Sequence, residues 1–192
     1  MKTIKLFILP MLALALFASC SDDDDSPAPV NPPELITDVA IIFTNAADDT
    51  DVVTLTAVSA DGIVEPTLND EPPLVFTANA TYNVTVTIFD NVNDENILEE
   101  IVDEVDEHFF VYATTAGFTM VRDADDPVGT LEGSSTPHKL GLETTWTAGA
   151  ATTGTITVQL IHEPTSIASD VGFGAASGGE FDINQTWDVV LQ

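Results

Sequence analysis

The chain has 192 residues, 44% of them apolar, and a formal net charge of −28. That length suits one domain with a proper core, and the apolar content excludes an acidic disordered tail. Four cations against 32 acids exclude nucleic acid as a partner, because a phosphate backbone is bound by neutralising it; an anionic lipid surface repels such a chain as well.

Lys2 and Lys5 precede Leu6 to Ala18, a thirteen-residue apolar run broken once, by Pro10. A membrane-spanning helix needs about 20 residues, so the run predicts the h-region of a secretory signal over residues 1–19. It ends in Leu16-Phe17-Ala18-Ser19-Cys20. Small residues before a cysteine resemble the lipobox of bacterial lipoproteins, with Phe17 where that class usually has Leu. The resemblance implies cleavage before Cys20, acylation of its thiol and attachment to a lipid membrane. The alternative is an ordinary signal and a free thiol. Cys20 is the chain's one cysteine, so an internal disulfide is excluded. Removal of residues 1–19 leaves Arg122 and Lys139 against 32 acids, a net charge of −30.

Residues 20–34 read as a tether. Asp22 to Asp25 form an acidic run that resembles the surface-export signal of Bacteroidota lipoproteins; in plainer terms it is a solvated spacer that repels an anionic bilayer. The four prolines between Ser26 and Glu34 favour extended, semi-rigid chain.

Residues 35–192 predict one mainly β domain. Leu35 to Thr44 is apolar and β-branched; Val52 to Val58 alternates; Leu74 to Thr77 follows Pro72 and Pro73. Tyr82, Val84, Val86 and Ile88 alternate with polar residues in a period of two. Ile97, Leu98, Ile101, Val102 and Val105 break that period and form a helical stripe of about three turns, with Asp94 as its predicted N-cap and acids on the other face. Further strands are predicted over Phe109 to Thr114, Phe118 to Arg122, Leu142 to Ala148 and Thr155 to Leu160. The last strand places Phe181, Ile183, Gln185, Trp187, Val189 and Leu191 on one face, behind a glycine-rich loop at Gly172 to Gly179. Eight or nine short strands between Gly, Asn, Asp and Pro signals predict an antiparallel, Ig-like β-sandwich with one short acidic helix.

The order of segments is distinctive: the acidic tether, Asn79-Ala80-Thr81-Tyr82 opening a long strand, the acidic helix, Glu107-His108-Phe109-Phe110, Gly141-Leu142-Glu143, then Ile161-His162-Glu163-Pro164 before the final strand. It resembles a family of short flavobacterial lipoproteins commonly labelled "type 1 periplasmic binding fold superfamily". That label implies two α/β lobes and nearly twice this length. No strand–helix alternation is present here, so the fold expected remains the sandwich. The resemblance implies an outer-membrane lipoprotein, exposed at the cell surface or facing the periplasm, with a ligand-binding role; it supplies no established activity or catalytic residues.

Two groups of residues could hold a cation. Asp123, Asp125 and Asp126 have the D-x-D spacing that gathers oxygens for a hard cation such as Ca²⁺. The family resemblance implies a calcium loop here ending in a glutamate, which brings in Glu143. Val128 occupies the loop position where such loops require glycine, so the region equally reads as a solvated acidic turn. The second group is His108, His138 and His162, donors for Zn²⁺ or Cu²⁺, with Glu104 one helical turn before His108. They lack motif spacing, so only the fold could bring them together; core-edge histidines bonded to backbone are the alternative. Catalytic signatures are missing: no G-x-S-x-G elbow, no H-E-x-x-H, and no thiol left after lipidation. Trp146 and Trp187 are in phase with apolar neighbours and read as core, with a sugar-stacking platform as the alternative. The expectation is a non-enzymatic, membrane-anchored binding or accessory module for a cation or an outer-membrane receptor. A purely structural interaction domain and a carbohydrate-binding module are the alternatives.

Overall fold

The computed structural model describes residues 34–59, 61–68 and 72–192. The predicted signal, Cys20 and the tether up to residue 33 lie outside the described residues.

Two sheets face each other. The first has the order β2-β1-β5-β11-β8, formed by β1 (Asp38–Asn45), β2 (Val52–Val58), β5 (Thr81–Asp90), β8 (Thr119–Arg122) and β11 (Thr144–Thr147); the short β6 (Glu95–Asn96) also pairs with β5. The second runs β3-β15-β12-β7, formed by β3 (Ile63–Leu68), β7 (His108–Thr114), β12 (Thr152–His162) and β15 (Glu180–Leu191), with β4 (Leu74–Phe76) also on β15. Strict alternation makes the first sheet: β1 buries Val39, Ile41 and Phe43, while β5 buries Tyr82, Val84, Val86 and Ile88. Asn83, Thr85 and Thr87 of β5 take the outer face, as a half-buried sheet requires, and on β1 the half-buried Ala40 and Ile42 do so.

The two inner faces interlock through aromatic rings. Phe43 meets Phe76 at 5.1 Å, Trp146 at 5.4 Å and Tyr82 at 6.3 Å between ring centroids, all edge-on. Tyr112 of the second sheet meets Trp146 of the first at 5.5 Å. Each polar tip has an acceptor: Tyr112 Oη donates to the Gly141 carbonyl, Trp146 Nε1 to Thr144 Oγ1, and Trp187 Nε1 to the Thr56 carbonyl. Both tryptophans are buried, so neither presents a ring to a sugar.

Three details differ from the sequence expectation. Pairing is antiparallel except at one edge, where β3 and β4 run parallel to successive parts of β15. Pro72 and Pro73, which cannot donate to a ladder, stand just before Leu74, where β4 begins. The helix α1 spans Ile97–Asp103, two turns, and its N-cap is Asn96, whose side chain accepts from the Leu98 amide. Asp94, the predicted cap, has a φ of 60° and lies in the preceding turn. The segment expected as a glycine-rich loop carries a hairpin of β13 (Ser166–Ala168) and β14 (Ala175–Ser177), with Phe173 packed 5.1 Å from Trp146. A further short pair joins β9 (Val128–Gly129) to β10 (His138–Lys139).

Phe43 sits at the crossing of the two inner faces. We expect Phe43→Ala to lower unfolding stability by about 3–5 kcal/mol in urea titrations followed by tryptophan fluorescence.

Candidate metal centre

At one end of the second sheet, β7 and β12 place His108 directly opposite His162. Their rings stack at 4.8 Å with 10° between planes. Both continue core-facing rows, His108 with Phe110 and Tyr112, His162 with Leu160.

Asp182 joins them through a β-bulge. Leu160 faces Ile183 across the β12–β15 pair, whereas Ile161 faces Phe181, so Asp182 is an extra residue without a counterpart. An inserted residue reverses which side chains point inward. Phe181, predicted to share the core face, is accordingly 41% exposed, and Asp182 is fully buried. The fourth member is Glu34, assigned to the tether from its proline-rich neighbours. Its carboxylate lies 3.2 Å from His108 Nε2.

One donor atom from each of Glu34, His108, His162 and Asp182 lies within 4.8 Å of all the others. His108 Nδ1 donates to the Glu104 carbonyl at 3.2 Å, which turns Nε2 toward the two carboxylates. Asp182 Oδ2 stands 3.7 Å from the same nitrogen. At the outer side Glu107 Oε2 lies 3.6 Å from His162 Nε2.

The cluster is enclosed and under-satisfied. The side chains of His108 and Asp182 are fully enclosed, and Glu34 is 5% exposed. Both Asp182 oxygens, Glu34 Oε1 and His162 Nε2 are buried without a hydrogen-bond partner. Burial, with Glu34's charge adding to it, pushes the Asp182 carboxyl up to about 7. Burial by itself would lower the His108 imidazole; the hydrogen bond and charge of Glu34, with Asp182, outweigh it and raise it. Glu34 is correspondingly held low, its own desolvation overcome by His108.

The third histidine stays apart. His138 is buried in β10, where Nε2 donates to the Val105 carbonyl at 3.0 Å, and its ring meets Phe109 edge-on at 5.9 Å. Burial lowers its pKa. It is a core histidine bonded to backbone.

The acidic turn is organised from within. The buried Asp126 carboxylate accepts three backbone amides: Gly141 at 2.8 Å, Leu142 at 2.8 Å and Glu143 at 3.1 Å. Asp123 accepts Thr145 Oγ1, and Lys139 Nζ donates to the carbonyls of Arg122 and Asp123. Desolvation, then the charges of Asp125, Asp126 and Asp123, raise Glu143, so these carboxylates do crowd one another. They are not among the clusters of convergent metal-donor atoms found in the described residues. Arg122 lies beneath this turn, 4.5 Å over the Phe109 ring, with Nη2 donating to the Phe110 carbonyl at 2.7 Å. Gly141, at φ 96°, gives it room, since a Cβ there would overlap Nη1.

Sequence reasoning found both histidines and missed both carboxylates. Nothing in a strand's own alternation announces a bulge, and the prolines around Glu34 pointed to a tether. Compared with protein-family models, curated proteins and solved structures, the chain matches none.

Asp126 holds the turn whether or not a cation visits it. Asp126→Ala strands three amides, and we expect it to lower stability by about 2–4 kcal/mol. The loss should be the same in excess EDTA and in millimolar Ca²⁺, read from paired thermal melts.

Proposed function

We propose that this chain is a non-enzymatic, lipid-anchored binding module that holds a cation in a β-sandwich at the bacterial outer membrane. One observation carries the cation reading: two carboxylates and two imidazoles converge at the end of the core, with four donor atoms unpartnered. Burying an unpaired carboxylate is costly, and a divalent ion would neutralise both at once. The overall charge supports this direction, since a chain with 32 acids attracts cations and relieves self-repulsion by binding them. The anchor rests on the n-region, the short apolar run and Cys20, and the acidic residues that follow it favour display at the cell surface.

Both parts have direct tests. Cys20→Ala should abolish fatty-acid labelling and cleavage before residue 20 and remove the protein from the outer-membrane fraction; unchanged processing and outer-membrane fractionation remove the anchor. Wild-type protein should melt at a higher temperature after equilibration with a divalent cation than in excess EDTA. Equal melting temperatures across Ca²⁺, Mg²⁺, Zn²⁺ and EDTA would remove the cation.

A further inference from the structure

We infer that Glu34, His108, His162 and Asp182 form a closed four-ligand site for a borderline divalent cation of the zinc class, rather than for Ca²⁺ or Mg²⁺. The inference rests on the cation-binding reading and names the ion and its ligands.

The donor set selects the ion. Two imidazole nitrogens and two carboxylate oxygens suit zinc and its first-row neighbours. Calcium takes 6–8 oxygens, and this cluster offers two nitrogens and two carboxylates. Magnesium keeps several waters in an octahedral shell, for which a site with fully enclosed His108 and Asp182 side chains has no opening.

Spacing agrees. Zinc bonds of about 2.0–2.2 Å put tetrahedral ligands about 3.3–3.6 Å apart. The His108 nitrogen stands 3.2 Å from Glu34 Oε2 and 3.7 Å from Asp182 Oδ2, so two edges of the tetrahedron are already near length. His162 Nε2 makes no hydrogen bond, its nearest carboxylate oxygen being Glu107 Oε2 at 3.6 Å, and a His162 donor atom lies within 4.8 Å of the other three ligands. Charge agrees too, because two carboxylates and two neutral imidazoles balance a divalent ion.

The outer sphere is that of a ligand set. A metal-bound imidazole donates its other N–H to a carbonyl or carboxylate, and His108 Nδ1 does this to Glu104. With four protein ligands the site is closed, the pattern of structural rather than catalytic zinc. Its effect would be mechanical: it ties Glu34, at the start of the described domain, to β7, β12 and β15.

The test uses the full chain in detergent, stripped with chelator and titrated separately with Zn²⁺ and with Ca²⁺. Native mass spectrometry and thermal melts give the readout. We expect one Zn²⁺ per chain, a higher melting temperature with Zn²⁺, and no displacement by millimolar Ca²⁺. His162→Gln and Asp182→Asn should each weaken Zn²⁺ binding by more than the roughly 10–100-fold that outer-sphere changes cause; His138→Gln should leave it unchanged. Asp182→Asn should also melt at or above the temperature of the metal-free wild type, because it removes a buried carboxylate lacking donors. That separates loss of a ligand from loss of the fold. Zn²⁺ bound equally by wild type, His162→Gln and Asp182→Asn overturns the site. Ca²⁺ bound where Zn²⁺ is not overturns the inference and leaves the cation reading standing. No ion bound by any preparation overturns both.

Discussion

Two carboxylates closed into the end of an apolar core are the constraint around which this end of the sandwich is arranged. Glu34 shares one oxygen with His108, while Asp182 has no hydrogen-bond donor at all. They add little to the stability of the core, because replacing buried ionic groups by hydrophobic side chains of similar volume is often neutral or stabilising. The local fold nonetheless works to bring them in: a bulge in β15 turns Asp182 inward, and the chain before β1 lays Glu34 over His108. Arrangements that oppose stability are where function is expected.

The sandwich itself was legible because period-two alternation is strong wherever one face is buried. The strand Val52–Val58 has the bounds its alternation predicts, and β5 and β12 extend theirs by only a few residues. Of the two edge strands, β4 falls within the run Leu74 to Thr77 read as a strand, whereas β3 escaped for a physical reason: it is short, contains Pro66 and pairs parallel to β15, so it shows no clean alternation. The same limit applied to the site. Parity put His108 and His162 on core-facing rows, but only the β7–β12 register sets them opposite each other. For Asp182 parity pointed the wrong way, since a single inserted residue inverts the face.

In the acidic turn after β8, two carboxylates have structural work of their own. Asp123, Asp125 and Asp126 resemble cation ligands by spacing, yet Asp126 serves as an acceptor for three amides and Asp123 for a threonine. The two cations of residues 20–192 are both spent here. Lys139 caps the carbonyls at the end of β8, and Arg122 is sandwiched between Phe109 and the backbone at Gly141. The Arg122 guanidinium is buried with Nε and Nη1 lacking hydrogen-bond partners, and it feels the Asp126 charge without forming an ion pair with it. The strongly acidic surface is thus left uncompensated, and the local cations contribute to packing rather than to recognition.

Position along the chain gives the buried cluster a further meaning. Glu34 is the ligand closest to Cys20, fourteen residues away in sequence, and the other three belong to strands of one sheet. An ion held by all four would therefore fix where the chain leaves the sandwich. Without it, Glu34 is kept in place by an imidazole hydrogen bond, with Ile36 and Thr37 packed just beyond. A hydrogen bond to a charged group contributes about 1.5–3 kcal/mol, whereas apparent binding energies of structural zinc sites reach about 10–16 kcal/mol. The difference is large enough to change that junction from one that opens locally to one that opens only with the domain.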